Sequence, residues 1–181
     1  KSLSNPGARK YILPYLLRGL DIVKTNQVWS IDISYIPMKQ GFMYLTAIMD
    51  VRSRYIVGWS LSNTLEKSVC LDLVEESIRK YGAPEIINSD QGVQFTNPSW
   101  IQTLKEKGVK ISMDGKGRAK DNIWIERFWR TIKQEYVYLN PCNDGLDLYK
   151  GIREYMQYYN YNRAHQGIGR QIPAAVYKTV A

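Results

Sequence analysis

The chain has 181 residues, 44% of them hydrophobic and 23% charged, a balance that suits a globular domain with its own core and argues against disorder. Lysine and arginine number 25 against 17 aspartate and glutamate, and the net charge of +8 points to a polyanionic partner, most simply nucleic acid. Two cysteines, Cys70 and Cys142, and a single histidine leave no basis for a disulfide framework or a structural zinc site. No apolar run approaches the roughly 18 residues of a membrane span, and no signal-peptide stretch is visible, so the expected setting is the cytoplasm.

Residues 1–26 combine Pro6, Gly7, Pro14 and five basic residues with the apolar patch YILPYLL, and read as an arm or linker that packs on something else. The abrupt start at Lys1 is expected of the downstream part of a longer polypeptide. Residues 27–181 form the main domain. QVWSIDISYIPM, FMYLTAIMD and YIVGWSLSN are β-branched and aromatic, and are separated by the short turns at Lys39-Gln40-Gly41 and VRSR. They predict an antiparallel three-strand meander with Asp32 in the middle of its first strand. Thr64 is the expected N-cap of a helix carrying Cys70, Leu73, Val74, Ser77, Ile78 and Tyr81, which Gly82-Ala83-Pro84 ends.

EIINSD follows as a short buried strand ending at Asp90, and Asn97-Pro98 opens the helix WIQTLKEKG. VKISM is a fifth strand. The basic glycine-bearing loop DGKGRAKDN leads to a long helix over about 123–138, and a last helix covers about 146–162. The tail RAHQGIGRQIPAAVY reads as irregular. Three paired strands followed by alternating helices and strands predict an α/β sheet with helices on its faces.

Three acids stand out. Asp32 lies in an apolar strand, where an unpaired charge costs several kcal/mol. Asp90 ends a second buried strand, and Glu126 lies among Ile123, Trp124, Ile125, Phe128 and Trp129. Three carboxylates without a histidine suit hard divalent cations such as Mg2+ or Mn2+. Each acid also has an ordinary alternative: an arginine partner for Asp32, a role in shaping the SDQG turn for Asp90, and a favourable helix N-terminus for Glu126. The 35 residues between Asp90 and Glu126 do not decide the matter, because about one acid pair at that separation is expected by chance.

The strings WSIDISYI, MDVRSRYIVGW, INSDQGVQFT, DGKGRAKDNIWIERFWRTIKQE and YYNYNRAHQGIGRQIPAAVY occur in this order over about residues 26–177. Together they resemble the catalytic core of bacterial insertion-sequence transposases related to retroviral integrases, in particular the insertion-sequence family numbered three. The resemblance implies an RNase H-like fold, a five-stranded mixed sheet with three antiparallel strands and then two parallel ones, flanked by helices. It places the metal-binding catalytic acids on Asp32, Asp90 and Glu126, and the basic residue seven positions later on Lys133. It implies two Mg2+ ions per site, with Mn2+ as a substitute, cleavage by water and strand transfer by a freed 3′-hydroxyl.

The implied partners are double-stranded DNA, as element end and as target, and further copies of the chain. The setting is the bacterial cytoplasm, at the nucleoid when acting. Glu126, Arg130 and Lys133 share one helix face, so Arg130 and Lys133 are candidate DNA contacts. Lys116, Arg118 and Lys120 in the loop are others, as are Arg163 and His165 in the tail. Trp124, Phe128 and Ile132 form a core stripe, while Tyr158 and Tyr161 are candidates to face DNA. A stand-alone nuclease of this fold and a catalytically silent DNA-binding module are the alternatives.

Overall fold

The computed structural model describes residues 11–115 and 122–178. The β-branched and aromatic segments form the expected meander of β1 (Val28–Pro37), β2 (Phe42–Asp50) and β3 (Ile56–Ser62). Both connecting turns use a positive φ, 75° at Gly41 and 65° at Arg54. Helix α1 (Lys67–Tyr81) carries the chain back to β4 (Ile86–Ser89), which pairs parallel with β1. Helix α2 (Pro98–Glu106) then leads to β5 (Lys110–Met113), parallel to β4. The sheet order is β3-β2-β1-β4-β5, with three antiparallel strands and two parallel additions.

Helices cover both faces. On one, α1 and α2 bring Cys70, Leu73, Val74, Trp100 and Leu104 onto Trp29, Ile31, Ile87 and Ile111. On the other, α3 (Ile123–Ile132) and α4 (Gly145–Tyr161) pack Ile125, Phe128, Ile132, Ile152 and Met156 on Ile36, Leu45, Ala47 and Met49. Strand side chains alternate, so Ile31 faces α1 and α2 while Asp32 faces α3. The Asn97 side chain accepts the Trp100 amide, and Pro98 opens α2 as its sequence predicts.

The expected elements need correction at three places. Helix α1 begins at Lys67 and Thr64 does not cap it; Ser62 Oγ accepts the Thr64 amide at 3.1 Å, closing a local turn that keeps Thr64 outside the helix. The long helix is α-helical only to Ile132 and continues as a π turn over Lys133–Val137. The tail is not irregular: a 3-10 turn at Gln166–Ile168 and helix α5 (Pro173–Lys178) dock it, and Ala174 is buried against the α1 face.

The described part of the arm lies along the β5 side of the sheet. Ser112 Oγ accepts the Leu16 amide at 2.9 Å, Pro14 O accepts the Met113 amide at 3.3 Å, and Leu17 is buried with Val28, Val51 and Ile86. An edge strand is thereby covered.

Candidate active site

β1 and β4 pair in parallel as far as Ser30 opposite Asn88, and Asp32 and Asp90 each lie two residues beyond that pair on their own segments. The two strands differ in what they do next. β1 continues to Pro37, so Asp32 is held in a rigid ladder and is partly buried. β4 stops at Ser89, and Asp90 is exposed at the first position beyond it, where its Oδ1 also accepts the Gly92 amide at 2.8 Å. Asp90 therefore shapes the SDQG turn, and its charge is felt at Asp32.

Glu126 comes from the helix that covers the Asp32 face of the sheet, in the first turn of α3, and is exposed rather than enclosed by its apolar neighbours. Two polar ties dock that helix on β1. The buried Asn122, just before α3, hydrogen-bonds Ser30, and the Trp129 indole N–H donates to Asp32 Oδ2 at 2.9 Å. Burial pushes the Asp32 carboxyl up to about 6; the Trp129 hydrogen bond opposes that shift, and the negative charges of Asp90 and Glu126 add to it. The three acids therefore share one electrostatic field. None of them is in an ion pair among the described residues, and no three His, Cys, Asp or Glu side chains there are placed to hold one metal ion.

Lys133, half-buried at the first position of the π turn, also belongs to this neighbourhood: burial lowers its pKa, and the nearby Asp32 charge opposes the shift. Arg130 is exposed one turn earlier. Lys116, Arg118 and Lys120 lie outside the described residues. Arg163 does not present a free charge, because its Nε donates to Glu135 Oε2 at 2.8 Å and to Oε1 at 3.1 Å. His165 packs edge-on against Tyr159, 4.5 Å between ring centroids, and burial lowers its pKa to about 4. Tyr158 is exposed, whereas the Tyr161 hydroxyl is engaged with that of Tyr55 at 2.8 Å. Cys70 packs in the core on the α1 face, where burial pushes its thiol up to about 12, so it is a core residue and not a nucleophile.

Sequence reasoning missed three groups. In the sequence Trp129 reads as apolar company of Glu126, although a buried indole obliges its N–H to find an acceptor. Glu135 is gripped by Arg163 and by the Tyr155 hydroxyl at 2.8 Å, holding the π turn that carries Lys133. Asp50 is fully buried at the end of β2, and nothing in the string MDVRSR marks it as buried.

Comparison with known proteins agrees with the fold. Two family models, each described as an integrase core domain, match residues 23–119 and 107–173. The transposase for insertion sequence element IS904 of Lactococcus lactis subsp. lactis (strain IL1403) is 35% identical over 151 residues, covering 82% of this chain and 60% of that protein. The putative transposase InsK for insertion sequence element IS150 of Escherichia coli (strain K12) is 29% identical, covering 82% of this chain and 53% of its own length.

The chain thus spans little more than half the length of such relatives. In fold, it matches the HTLV-2 integrase catalytic core domain in complex with magnesium, with a TM-score of 0.67 at 17% identity over 86% of this chain and 98% of that one. The match to a chain of the simian T-cell lymphotropic virus intasome has a TM-score of 0.74 at 16% identity, covering 97% of this chain and 61% of that one. Among the described residues, no helix is long and apolar enough to cross a membrane.

Proposed function

The chain belongs to the integrase core family of bacterial insertion-sequence transposases, and from that premise we propose that it is a catalytic domain that cuts DNA at element ends and joins the freed 3′-hydroxyl to a target phosphodiester. The observation that carries the reading is that Asp32, tied to α3 through Trp129 and lying on the strand that pairs with β4, feels the negative charges of Asp90 and Glu126 from two distant segments.

That donor set fits Mg2+, with Mn2+ as a substitute: three carboxylates offer hard oxygens and no nitrogen or sulfur. Asp32, lifted to about 6 by burial and by its two neighbours, has the excess of negative charge that such cations offset. The HTLV-2 core solved with magnesium supports the same choice. Bound between the three acids, two such ions would activate the attacking oxygen and offset charge on the phosphoryl group and leaving oxygen.

The rest falls to the chain itself. Asp32 sits on the rigid strand and Asp90 on the more open turn beside it, so one ligand is fixed and the other is accessible to incoming DNA. Glu126 approaches from a helix tied to β1 at both ends of its first two turns. Lys133 and Arg130 follow along that helix toward the phosphate backbone, joined by Lys116, Arg118 and Lys120. Arg163, already held by Glu135, supports the π turn, and His165, packed on Tyr159 with its pKa lowered to about 4, adds no charge for DNA at pH 7. Water serves as nucleophile for cleavage and the 3′-hydroxyl for transfer, since only the attacking oxygen changes. The partners are duplex DNA at element end and target, with the chain acting as an oligomer on paired ends in the bacterial cytoplasm, at the nucleoid.

A labelled element-end duplex with Mg2+ or Mn2+ tests this. Joined products are expected. Cleavage without joining would make the domain a nuclease of the same fold, and metal-independent binding without strand chemistry would make it a DNA-binding module.

A further inference from the structure

We propose that Trp129 is a positioning residue for the metal centre, its indole N–H holding the Asp32 carboxylate in its ligating orientation and setting how closely α3 brings Glu126 to it. The inference rests on the metal-binding reading above and goes beyond it, because Trp129 is itself no ligand.

The geometry is specific. Trp129 is 7% exposed, and its Nε1 donates to Asp32 Oδ2 at 2.9 Å. A buried indole N–H needs an acceptor, and this one takes a carboxylate of the site. Trp129 follows Glu126 by three residues, close to one helical turn, so the residue that pins Asp32 and the residue that approaches it move as one body. The ring is fixed in turn by Phe128, 5.0 Å away between centroids and tilted by 50°. A second tie joins the same strand and helix two residues before Asp32, where Ser30 meets Asn122.

With both ties in place, α3 can neither slide along β1 nor rotate about its own axis without breaking a buried hydrogen bond. Removing the indole N–H frees the Asp32 carboxylate to turn and loosens the approach of Glu126. Groups that orient a metal ligand in this way typically cost 10–100-fold in metal affinity when removed.

The experiment measures Mn2+ binding calorimetrically on the metal-free protein for wild type, Trp129→Phe and Trp124→Phe, together with rates at varied Mn2+ and varied DNA. Phenylalanine keeps a buried aromatic ring and removes the donor; Trp124 lies on the same helix, is only partly buried and makes no bond to Asp32. Trp129→Phe is expected to bind Mn2+ about tenfold more weakly. Its rate should recover at high Mn2+ with KM for DNA unchanged, while Trp124→Phe binds Mn2+ as wild type does.

Because Trp129→Phe can lose stability, the wild-type protein with 15N-labelled tryptophan gives a second measurement. Its Trp129 indole N–H resonance should move both on addition of Mg2+ and in Asp32→Asn. Equal Mn2+ affinity of wild type and Trp129→Phe overturns the proposal, as does an indole resonance indifferent to both changes. A wild-type protein that binds no Mn2+ overturns the metal-binding reading, and this inference with it.

Discussion

Asp32 and Asp50 lie on neighbouring antiparallel strands, both are drawn into the protein, and burial raises the pKa of both. They differ in what surrounds them. Asp50 is fully buried, yet Ser53 N and Ser53 Oγ donate to its Oδ1 at 2.8 and 2.6 Å, and Asn26 N donates to its Oδ2 at 2.7 Å. Those bonds close the VRSR turn and fasten the end of the arm, so every partner of Asp50 is part of the fold. Asp32 has the Trp129 indole and the Ile33 amide, and then two more carboxylates whose charge opposes its own. The depth of a buried charge is therefore a poor guide to its role, and the sign of its neighbours a better one. A fold satisfies a carboxylate with donors, whereas a cation site gathers carboxylates that repel one another.

The largest expected effect separates these two acids in activity. Asp32→Asn should lose strand cleavage and joining by on the order of a thousandfold or more, because the several kcal/mol of charge stabilisation that a metal supplies to the transition state depends on that ligand. The fold and bulk DNA affinity should survive, as circular dichroism and a binding titration would show. Retained strand chemistry in Asp32→Asn would break the comparison at its functional end. Asp50→Asn should do the reverse. One amide NH2 then faces a donor, leaving buried hydrogen-bond groups unmatched at a cost of about 2 kcal/mol, visible in denaturant unfolding. Strand chemistry measured well below its melting temperature should remain.

Much of this contrast was legible in the sequence. The meander, the two parallel strands and the three acids follow from β-branched runs, short turns and the strings around Asp32, Asp90 and Glu126. What escaped was whatever depended on partners distant in the chain. Asp50 acquires its meaning from Asn26 and Ser53, and Trp129 from a carboxylate 97 positions away. The π turn at Lys133 has no local signal, since it is held by Arg163 and Tyr155 gripping Glu135 from α4 and beyond. Thr64 has the right residue type for a cap but is claimed first by Ser62. Periodicity reports which face of an element is covered, and is silent about which polar group on the far side of the core will answer it.

A third effect sharpens the comparison through pH. The folded pKa of Asp32, about 6, lies above its ordinary 3.8, so Asp32 contributes stability that is fully present below 3.8 and lost as pH rises through 6. At neutral pH the metal-free wild type bears the cost of an ionised Asp32, and Asp32→Asn removes it. The variant is therefore expected to be more stable than wild type at pH 7, by about 1–2 kcal/mol after allowing for the weaker hydrogen bond to Trp129 and partial solvent screening. The difference should close between pH 6 and 4. Stability curves of the two proteins with metal chelated would show it, and a less stable Asp32→Asn at pH 7 would mean that Asp32 is satisfied as Asp50 is.

The smallest effect comes from the acid with the opposite surroundings. The hydrogen bond from Arg163 holds the Glu135 carboxyl below its ordinary 4.5, with a further contribution from Tyr155. The sign is therefore reversed: Glu135 contributes stability present above 4.5 and lost as pH falls through its lower folded value. The pair is partly exposed, with side chains 22% and 37% accessible, so solvent screens it and Glu135→Gln should cost no more than about 1 kcal/mol at pH 7. That loss should fade below pH 4.5. Asp32→Asn and Glu135→Gln then move stability in opposite directions at pH 7 and both return toward wild type in acid. Only the carboxylate surrounded by its own kind gains from losing its charge. Should both variants destabilise the metal-free protein at pH 7, the burial of Asp32 and the repulsion added to it are together too weak to demand a cation, and the contrast with Asp50 fails where it matters most.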